Sequence, residues 1–271
     1  MHEKHSQHPQ PRRGIRRGPP PPLSGKCALF LDIDGTLLDL APTPDHVEVD
    51  PALATLLPAL AARLGGAVAL ITGRPIDDAD SLFPGLLLPV AGLHGLERRS
   101  ADGILHPHAP TPPGFGWLRG ELSRIVARHE GLLLEDKGTA LALHYRQVPA
   151  LASYVHRTLR ALVKTASAGG AAWRLQPGKG IMEIKPQGRD KGAAILDYMA
   201  EAPFEGRLPV FLGDDRTDEF GFAAVARMGG WAVKVGPGPT HANFRLSGVS
   251  TVRGWLLALF GQRGATGERK H

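Results

Sequence analysis

The sequence predicts an α/β protein, in which a parallel sheet flanked by helices carries an inserted α+β layer. Continuous apolar runs of strand length alternate with helical segments at both ends of the chain, as in a parallel sheet buried on both faces. Between residues 108 and 185 this rhythm changes to strands in which apolar and polar residues alternate. The 271 residues suffice for one such domain with a smaller one inserted into it.

The first part of the core begins with a buried strand, CALFLDID. A helix is predicted over PALATLLPALAARLG, because Asp50-Pro51 is typical of a helix N-terminus and Gly65-Gly66 ends the pattern. The runs AVALITG and LLLPVAGLHG are predicted as the next strands, and IDDADSLFPG between them as a short helix.

The inserted segment has a different pattern. GFGWLRGELSRIVARHE and ALASYVHRTLRALVKTA have the spacing of amphipathic helices. Two alternating strands lie on either side of Lys137-Gly138, and WRLQPGKGIMEIKP is predicted as a hairpin that turns at Pro177-Gly178. These elements predict an antiparallel α+β layer.

The last part returns to the first pattern. It contains the predicted helices KGAAILDYMAEA, TDEFGFAAVARM and VRGWLLALFGQ and the predicted strands LPVFLGDD and GWAVKVG. We therefore expect a core of residues 26–107 and 186–262 and an inserted α+β cap of residues 108–185. Residues 1–25 are predicted to be a disordered arm rich in Pro, Arg and His, and residues 263–271 a flexible basic tail.

The charge of the chain lies mainly in its two ends. Of the net charge of +6, residues 1–26 hold +5 and residues 261–271 hold +2, which leaves −1 for the rest. The basic character therefore gives no reason to expect that the folded part binds nucleic acid.

The cysteine content and the apolar runs indicate a cytoplasmic protein. Cys27 is the single cysteine, so the chain cannot form an intramolecular disulfide. Paired arginines near the N-terminus are followed by four prolines rather than an apolar segment, so they do not predict an export signal. The longest apolar window, residues 53–71, is interrupted by Pro58 and Arg63, and we expect no membrane association. We expect a monomer.

Chemically active side chains follow the ends of the predicted core strands. Because ligands bind beyond the carboxyl ends of parallel strands, these groups should meet at one edge of the sheet. They are Asp32, Asp34, Thr72, Lys191, Asp214, Asp215 and Asp218. Clustered carboxylates without a cysteine or histidine pair favour a hard cation, most simply Mg²⁺.

A carboxylate nucleophile beside Mg²⁺, with a hydroxyl and an ammonium to hold phosphoryl oxygens, fits phosphoryl transfer. Each signal taken singly is weak, since TGR is often a turn and GDD can be a helix N-cap. Their order, each after a buried strand, is much harder to obtain by chance.

In this order DIDGTLLD, TGR, KG and GDDRTDE resemble the four motifs of the haloacid-dehalogenase (HAD) superfamily of aspartate-nucleophile phosphatases, which implies a Rossmann-like core. AGLHGLE, EDKGTALALHYRQVP, MEIKPQGRDKG and FLGDDRTDEFGF are similar to segments of trehalose-6-phosphate phosphatases. The resemblance covers residues 26–258. It implies a small-molecule substrate and Mg²⁺-dependent hydrolysis of trehalose 6-phosphate to trehalose and phosphate through an aspartyl-phosphate, within trehalose biosynthesis.

The resemblance also implies roles for single residues. Asp32 would be the nucleophile and Asp34 the general acid and base, while Thr72 and Lys191 would hold the phosphoryl oxygens. The implied metal site comprises Asp32, Asp34 through its backbone carbonyl and Asp214, supported by Asp215 and Asp218. The implied sugar contacts are Gly95, Glu97, Glu135, Lys137, His144, Arg146, Glu183 and Lys185.

Several alternatives stay open on the sequence alone. Charged residues that alternate on a strand commonly form a solvated face, and His144 can equally be a packed histidine. His94 can be a turn residue or part of the pocket rim. Arg74 can touch the phosphate or pair with an acidic neighbour such as Asp77, and we favour the pairing. Sucrose phosphate or another sugar phosphate is the nearest alternative substrate. A catalytically silent regulatory or nucleic-acid-binding protein is the alternative from another class.

Overall fold

The structure, a computed structural model, describes residues 19–40, 47, 49–107, 113–168, 170 and 172–261. The expected tail at 263–271 and residues 1–18 of the expected arm lie outside this part of the chain. At the end of the arm, Leu23 is buried in the core, and the indole N–H of Trp255 donates to the carbonyl of Pro20 at 3.2 Å. These last residues of the arm therefore pack on the core, although the sequence predicts disorder there.

The described residues form twelve strands and seven α-helices. The strands are β1 Cys27–Leu31, β2 Val68–Ile71, β3 Val90–Gly92, β4 Glu97–Arg99, β5 Leu105–Pro107, β6 Leu133–Asp136, β7 Leu141–His144, β8 Trp173–Gly178, β9 Ile181–Pro186, β10 Leu208–Gly213, β11 Trp231–Val235 and β12 Phe244–Leu246. The helices are α1 Ala52–Arg63, α2 Ile76–Leu82, α3 Phe115–Val126, α4 Ala152–Ser167, α5 Lys191–Met199, α6 Asp218–Arg227 and α7 Val249–Gly261.

The core sheet has eight strands in the order β12-β11-β10-β1-β2-β3-β4-β5. The first six run parallel to one another, which confirms the predicted parallel sheet. β4 and β5 extend it as antiparallel strands. The sequence pattern does not reveal β4, β5 or β12, because each has only three residues and is held by pairing with its neighbour.

Apolar side chains cover the core sheet on both faces. Leu29 and Leu31 of β1 face a cluster that includes side chains of α1 and α7. Phe30 faces the other cluster, which includes side chains of α5 and α6. Successive strand residues point to opposite faces, so a strand buried on both sides must be apolar at every position. The continuous run CALFL has this composition.

Residues 115–186 form a second layer, in which a four-stranded antiparallel sheet of order β6-β7-β9-β8 packs against α3 and α4. The β8–β9 hairpin turns at Lys179-Gly180, so the prediction of a turn at Pro177-Gly178 is wrong. Pro177 instead pairs with Met182 within the ladder. A proline is tolerated there because β8 is an edge strand, where the missing N–H leaves no ladder bond broken.

The strand register brings the ends of the parallel strands together. Leu31 at the end of β1 lies beside Leu212 of β10 on one side and Leu70 of β2 on the other. The residues that follow these strands therefore share one edge of the sheet, as the sequence predicts. Among the helices described, none has the length and apolar composition needed to cross a membrane.

Tyr198 provides a test of how the core is held together. Its side chain is fully buried, and its hydroxyl donates to the backbone carbonyl of Arg99 at 2.8 Å. We expect Tyr198→Phe to lower the free energy of unfolding by about 1–3 kcal/mol, because the buried carbonyl loses its donor. Urea denaturation measures this. In the control Tyr154→Phe, whose hydroxyl has no hydrogen bond to a described residue, the change should stay within about 0.5 kcal/mol. Equal losses in both variants would contradict the assignment.

Candidate active site

A buried ammonium group lies between two carboxylates at the edge of the core sheet. Lys191, the first residue of α5, donates from Nζ to Asp32 Oδ1 at 2.6 Å and to Asp218 Oδ1 at 2.7 Å. Burial alone would lower the pKa of Lys191, but the two carboxylates outweigh it and raise that pKa above its ordinary value. The Thr36 hydroxyl donates to the other oxygen of Asp32 at 3.0 Å. The Asp32 carboxylate is thus held in one orientation.

Three buried carboxylates form a cluster that fits a metal ion. Asp32, Asp214 and Asp218 each offer one oxygen, and these oxygens lie within 4.8 Å of one another. Burial raises the pKa of Asp32 and of Asp214, and the neighbouring carboxylates raise both further. Ionised together, the three need more positive charge than Lys191 alone supplies. The donor set contains oxygen only, as a hard divalent cation prefers.

The two supporting aspartates have different surroundings. Both carboxylate oxygens of Asp218 accept protein hydrogen bonds, since Oδ2 accepts from the backbone N–H of Asp215 at 2.8 Å. Asp215 lies on the cavity wall but is not part of the three-carboxylate cluster. Its Oδ1 accepts from the backbone N–H of Arg216 at 2.7 Å within its own loop. Asp218 therefore belongs to the cluster and Asp215 does not, a difference that the sequence does not show.

Gly35 is required by the close approach of Asp214. A Cβ atom on Gly35 would lie 2.3 Å from Asp214 Oδ2, and the backbone φ of 83° is left-handed. The glycine that follows the two aspartates of the DID segment therefore leaves room for the carboxylate of a distant strand.

Asp34 is paired with Arg74, although 31% of its side chain stays exposed. Arg74 donates from Nε to Asp34 Oδ2 at 2.7 Å and from the guanidinium to Oδ1 at 2.8 Å. The expected pairing of Arg74 with an acid is correct in kind, but the partner is Asp34 rather than Asp77. Two residues that the sequence places in separate motifs therefore form one bidentate pair.

The hydroxyl of Thr72 is fully buried and accepts from the backbone N–H of Arg74 at 3.1 Å. Thr72 is not among the described residues that line the neighbouring cavity. Its hydroxyl holds the turn that carries Arg74, and any contact with a phosphoryl oxygen stays a prediction.

One cavity of about 180 Å³ lies between the core edge and the second layer. The core contributes Asp32, Asp34, Gly73, Arg74, His94, Lys191, Asp214, Asp215 and Thr217. The second layer contributes Glu135, Lys137, His144, Arg146, Gln176, Lys179 and Glu183 among others. The structure thus brings five of the eight expected sugar contacts to the same cavity as the carboxylate cluster.

The second layer presents a buried charged network to this cavity. Lys137 Nζ lies 3.2 Å from Glu183 Oε1 and donates to the carbonyl of Gly73 at 3.0 Å. Against the effect of burial, Lys137 and His94 hold the pKa of Glu183 far below its ordinary range. Glu135 Oε2 lies 2.7 Å from Nε2 of His144. The alternative of a solvated strand face is therefore wrong for Glu183 and Lys137, both of which are buried.

The remaining three expected sugar contacts do not line the cavity among the described residues. Glu97 Oε1 accepts from the backbone N–H of Ile76 at 2.6 Å and so satisfies the N-terminus of α2. Gly95 packs against α5, and its carbonyl accepts from Arg189 at 3.2 Å. Lys185 lies in β9 with 1% of its surface exposed, and burial lowers its pKa to about 8. Direct contact with a sugar in the cavity is not available to these side chains as placed.

Two lysines at the site are missed by reasoning from the sequence. Lys179, in the β8–β9 turn, forms an ion pair with Asp214 across the gap between the layers. Lys234 in β11 donates to the carbonyls of Asp214 and Val235. A signal was available for Lys234, because a charged residue inside the apolar run WAVKV needs a buried partner. None was available for Lys179, whose partner is fixed only by the packing of the two layers.

Comparison with known proteins finds a matching family and several similar chains. The chain matches the trehalose-phosphatase family over residues 30–250. It is 45% identical over 241 residues to trehalose-6-phosphate phosphatase of Escherichia coli (strain K12), with 87% of each chain covered. It is 44% identical over 235 residues to a probable trehalose-phosphate phosphatase of Sinorhizobium fredii (strain NBRC 101917 / NGR234), with 86% of this chain and 87% of that one covered.

The fold is likewise shared with solved structures. The C-terminal domain of C. albicans trehalose-6-phosphate phosphatase matches with a TM-score of 0.77 at 20% identity, over 88% of this chain and 93% of that one. A trehalose-6-phosphate phosphatase related protein matches with a TM-score of 0.69 at 26% identity, over 87% and 99%. The two-layer arrangement around the cavity is therefore not peculiar to this chain.

The buried Glu183 predicts a pH-dependent stability. Its pKa is depressed in the folded state, so its contribution is present above the ordinary value of 4.5 and is lost as the pH falls below it. We expect Glu183→Gln to be less stable than the parent by about 1–3 kcal/mol at neutral pH. The difference in the free energy of unfolding between parent and variant should narrow as the pH falls from about 7 to about 3.5, as measured by urea denaturation. The exposed Glu130→Gln is the control, and a gap independent of pH would contradict the assignment.

Proposed function

Because the chain belongs to the trehalose-phosphatase family, we propose that it is a phosphoric monoester hydrolase that converts trehalose 6-phosphate to trehalose and phosphate. The observation that supports this is one cavity with two chemically different walls. The core wall carries the Asp32–Lys191 pair and the carboxylate cluster, which suit a phosphoryl group. The facing wall carries Glu183 and Lys137, which suit a sugar rich in hydroxyl groups.

The first step is attack by Asp32. One of its carboxylate oxygens forms a bond to phosphorus, while the bond between phosphorus and the sugar oxygen breaks. Lys191 keeps Asp32 oriented and offers N–H groups to the phosphoryl oxygens, which favours the charge that develops in the transition state. The Asp32 carboxylate carries the phosphoryl group until water displaces it.

Asp34 handles the protons in this scheme. Its carboxyl group gives a proton to the departing sugar oxygen and later takes one from the water that attacks the aspartyl-phosphate. For Asp34 to act as the acid, one of its two oxygens must leave Arg74 and carry a proton before the sugar oxygen departs, while Arg74 keeps the other oxygen at the cavity wall. The water then breaks the bond between phosphorus and Asp32, which regenerates the carboxylate.

Asp32 and Asp214, the backbone carbonyl of Asp34 and, through supporting contacts, Asp215 and Asp218 would hold Mg²⁺. When bound, Mg²⁺ would neutralise phosphoryl charge and polarise the transferring group. Lys179, from the second layer, forms an ion pair with Asp214 and so balances part of the charge of that carboxylate.

The second layer selects the substrate. Carboxylates accept hydrogen bonds from sugar hydroxyls and ammonium groups donate to them, and both are stronger than neutral hydrogen bonds. Glu135, Lys137, Glu183, His144 and Arg146 line the cavity and are proposed as the sugar contacts. His144 also forms a hydrogen bond with Glu135 and so orients that carboxylate.

We also propose that the protein acts in the cytoplasm as a monomer, with a small molecule as its partner rather than nucleic acid or a membrane. The single cysteine, Cys27, is buried, so the fold needs no oxidising compartment. The net charge of the chain outside its two ends is close to zero, which favours no polyanion.

The proposed reaction is tested by phosphate release from a panel of sugar phosphates, with Mg²⁺ and with a chelator. We expect trehalose 6-phosphate to be the preferred substrate, and Asp32→Asn to lose more than about a thousandfold in kcat while its thermal unfolding is retained. Comparable turnover of glucose 6-phosphate or sucrose phosphate would overturn the substrate assignment. Full activity of Asp32→Asn would overturn the mechanism.

The substrate-selecting wall is tested at Glu135. We expect Glu135→Gln to lower kcat/KM for trehalose 6-phosphate by about 10- to 100-fold, and for an aryl phosphate by less than about threefold. The aryl phosphate offers no sugar hydroxyls to this wall. Asp136→Asn is the matched control, since the next residue on the same strand points to the opposite face. Equal losses on both substrates would assign Glu135 a structural role.

A further inference from the structure

His94 lies in an unusual turn that is bonded to the loop carrying the phosphoryl-site residues. Leu93 and His94 both have left-handed backbones, with φ of 50° and 56°. A left-handed leucine followed by a second left-handed residue is sterically unfavourable and persists only where the surroundings impose it. The N–H of Leu93 donates to the carbonyl of Arg74 and the N–H of His94 to that of Thr72, both at 2.9 Å. The turn therefore holds both ends of the Thr72–Arg74 loop.

The imidazole ring of His94 lies directly on the middle of this loop. A Cβ atom on Gly73 would be 2.7 Å from Cε1 of the ring, so no other residue type fits at that position without displacing it. The carbonyl of Gly73 accepts from Lys137 of the second layer at 3.0 Å. The loop is thus clamped between the ring on one side and a cap lysine on the other.

The polar atoms of the ring connect it to the sugar side of the cavity. Nε2 lies 2.9 Å from Glu183 Oε2 and 2.8 Å from the Gln176 amide nitrogen. Burial lowers the pKa of His94 to about 3, so the ring is neutral at physiological pH and carries one proton. When Nε2 carries the proton, it donates to the carboxylate of Glu183. When Nε2 carries no proton, it accepts from the amide N–H of Gln176. It cannot do both at once.

The other ring nitrogen, Nδ1, makes no hydrogen bond to any described residue. It is also shielded from solvent, since His94 is only 8% exposed. An unsatisfied buried polar atom is unfavourable, as is the left-handed backbone. Filling space does not account for a histidine here, because an apolar side chain would fill the same place without an unpaired polar atom but would leave the buried Glu183 without its Nε2 partner.

We propose that His94 is a positioning residue that couples occupancy of the sugar side of the cavity to the Thr72–Arg74 loop. A sugar hydroxyl that donates to Glu183 or accepts from Gln176 determines whether Nε2 forms its hydrogen bond with Glu183 or with Gln176. That choice fixes the ring against Gly73 and, through the two backbone hydrogen bonds, the position of Arg74 and its partner Asp34. The inference rests on the proposed function and deepens it, because it explains how recognition of the sugar reaches the reacting end.

The test compares kinetics of His94→Asn and His94→Gln on trehalose 6-phosphate and on an aryl phosphate. Asparagine tolerates the left-handed backbone but is too short to reach Glu183, while glutamine places an N–H near the position of Nε2. We expect His94→Asn to lower kcat on the sugar phosphate at least about tenfold more than on the aryl phosphate, with KM changed less than about threefold. His94→Gln should recover part of that ratio.

Several outcomes would overturn this inference. Equal factors on the two substrates would show that His94 merely holds the loop, and a change in KM alone would show that it only binds the sugar. In a Glu183→Gln background the His94→Asn substitution should alter the ratio by less than about twofold, and full additivity would contradict coupling.

The controls separate folding and substrate identity from coupling. His241→Asn, at an exposed histidine paired with Glu219, should leave both activities unchanged. Thermal unfolding of each variant identifies any that fails to fold, in which case the glutamine variant carries the test. If the wild type prefers a different sugar phosphate, the proposed function fails, but the same ratio measured on that substrate still decides the coupling.

Discussion

The contact on which the site depends is the buried ammonium of Lys191 between Asp32 and Asp218. Carboxylates with almost no exposed surface repel one another strongly, and a cluster of them at a sheet edge is unstable without positive charge. Lys191 supplies part of that charge, at 2.6 and 2.7 Å from the two carboxylates. Lys191 is the first residue of α5, so the start of this helix places the ammonium beside carboxylates that follow β1 and β10.

A second set of polar contacts crosses from the core to the inserted layer. Lys137 reaches the carbonyl of Gly73, Glu183 reaches His94, and Lys179 reaches Asp214. Each joins a residue of the phosphoryl end to a residue that faces the sugar. Buried charges are poorly screened, so the contacts of Lys137 and Glu183, whose side chains are 8% and 5% exposed, are the strongest of these. The layer is thus a wall of the cavity and, in the proposed function, the source of specificity.

In the proposed function, one fold separates two tasks. The core edge handles a charged group common to every phosphate ester, and its residues follow strands whose positions the parallel sheet dictates. The inserted layer handles the variable part of the substrate through an antiparallel sheet whose side chains alternate between its own core and the cavity. Leu134 and Glu135 illustrate this as neighbours on β6, because Leu134 packs against the apolar cluster of the layer and Glu135 lines the cavity.

Local patterns in the sequence are enough to predict the core and the location of the chemistry. Apolar runs such as CALFL and the helical spacing of α1 are local properties, and parallel strands bring Asp32 and Asp214 to one edge whatever the loops do. Which side chains pair with one another follows from the packing of the folded chain and could not be predicted. Arg74 pairs with Asp34 and Glu97 serves the start of α2, while Lys185 is enclosed within the second layer and His94 clamps Gly73. A side chain's partner depends on the packing of segments far apart in the chain, and no local pattern records that packing.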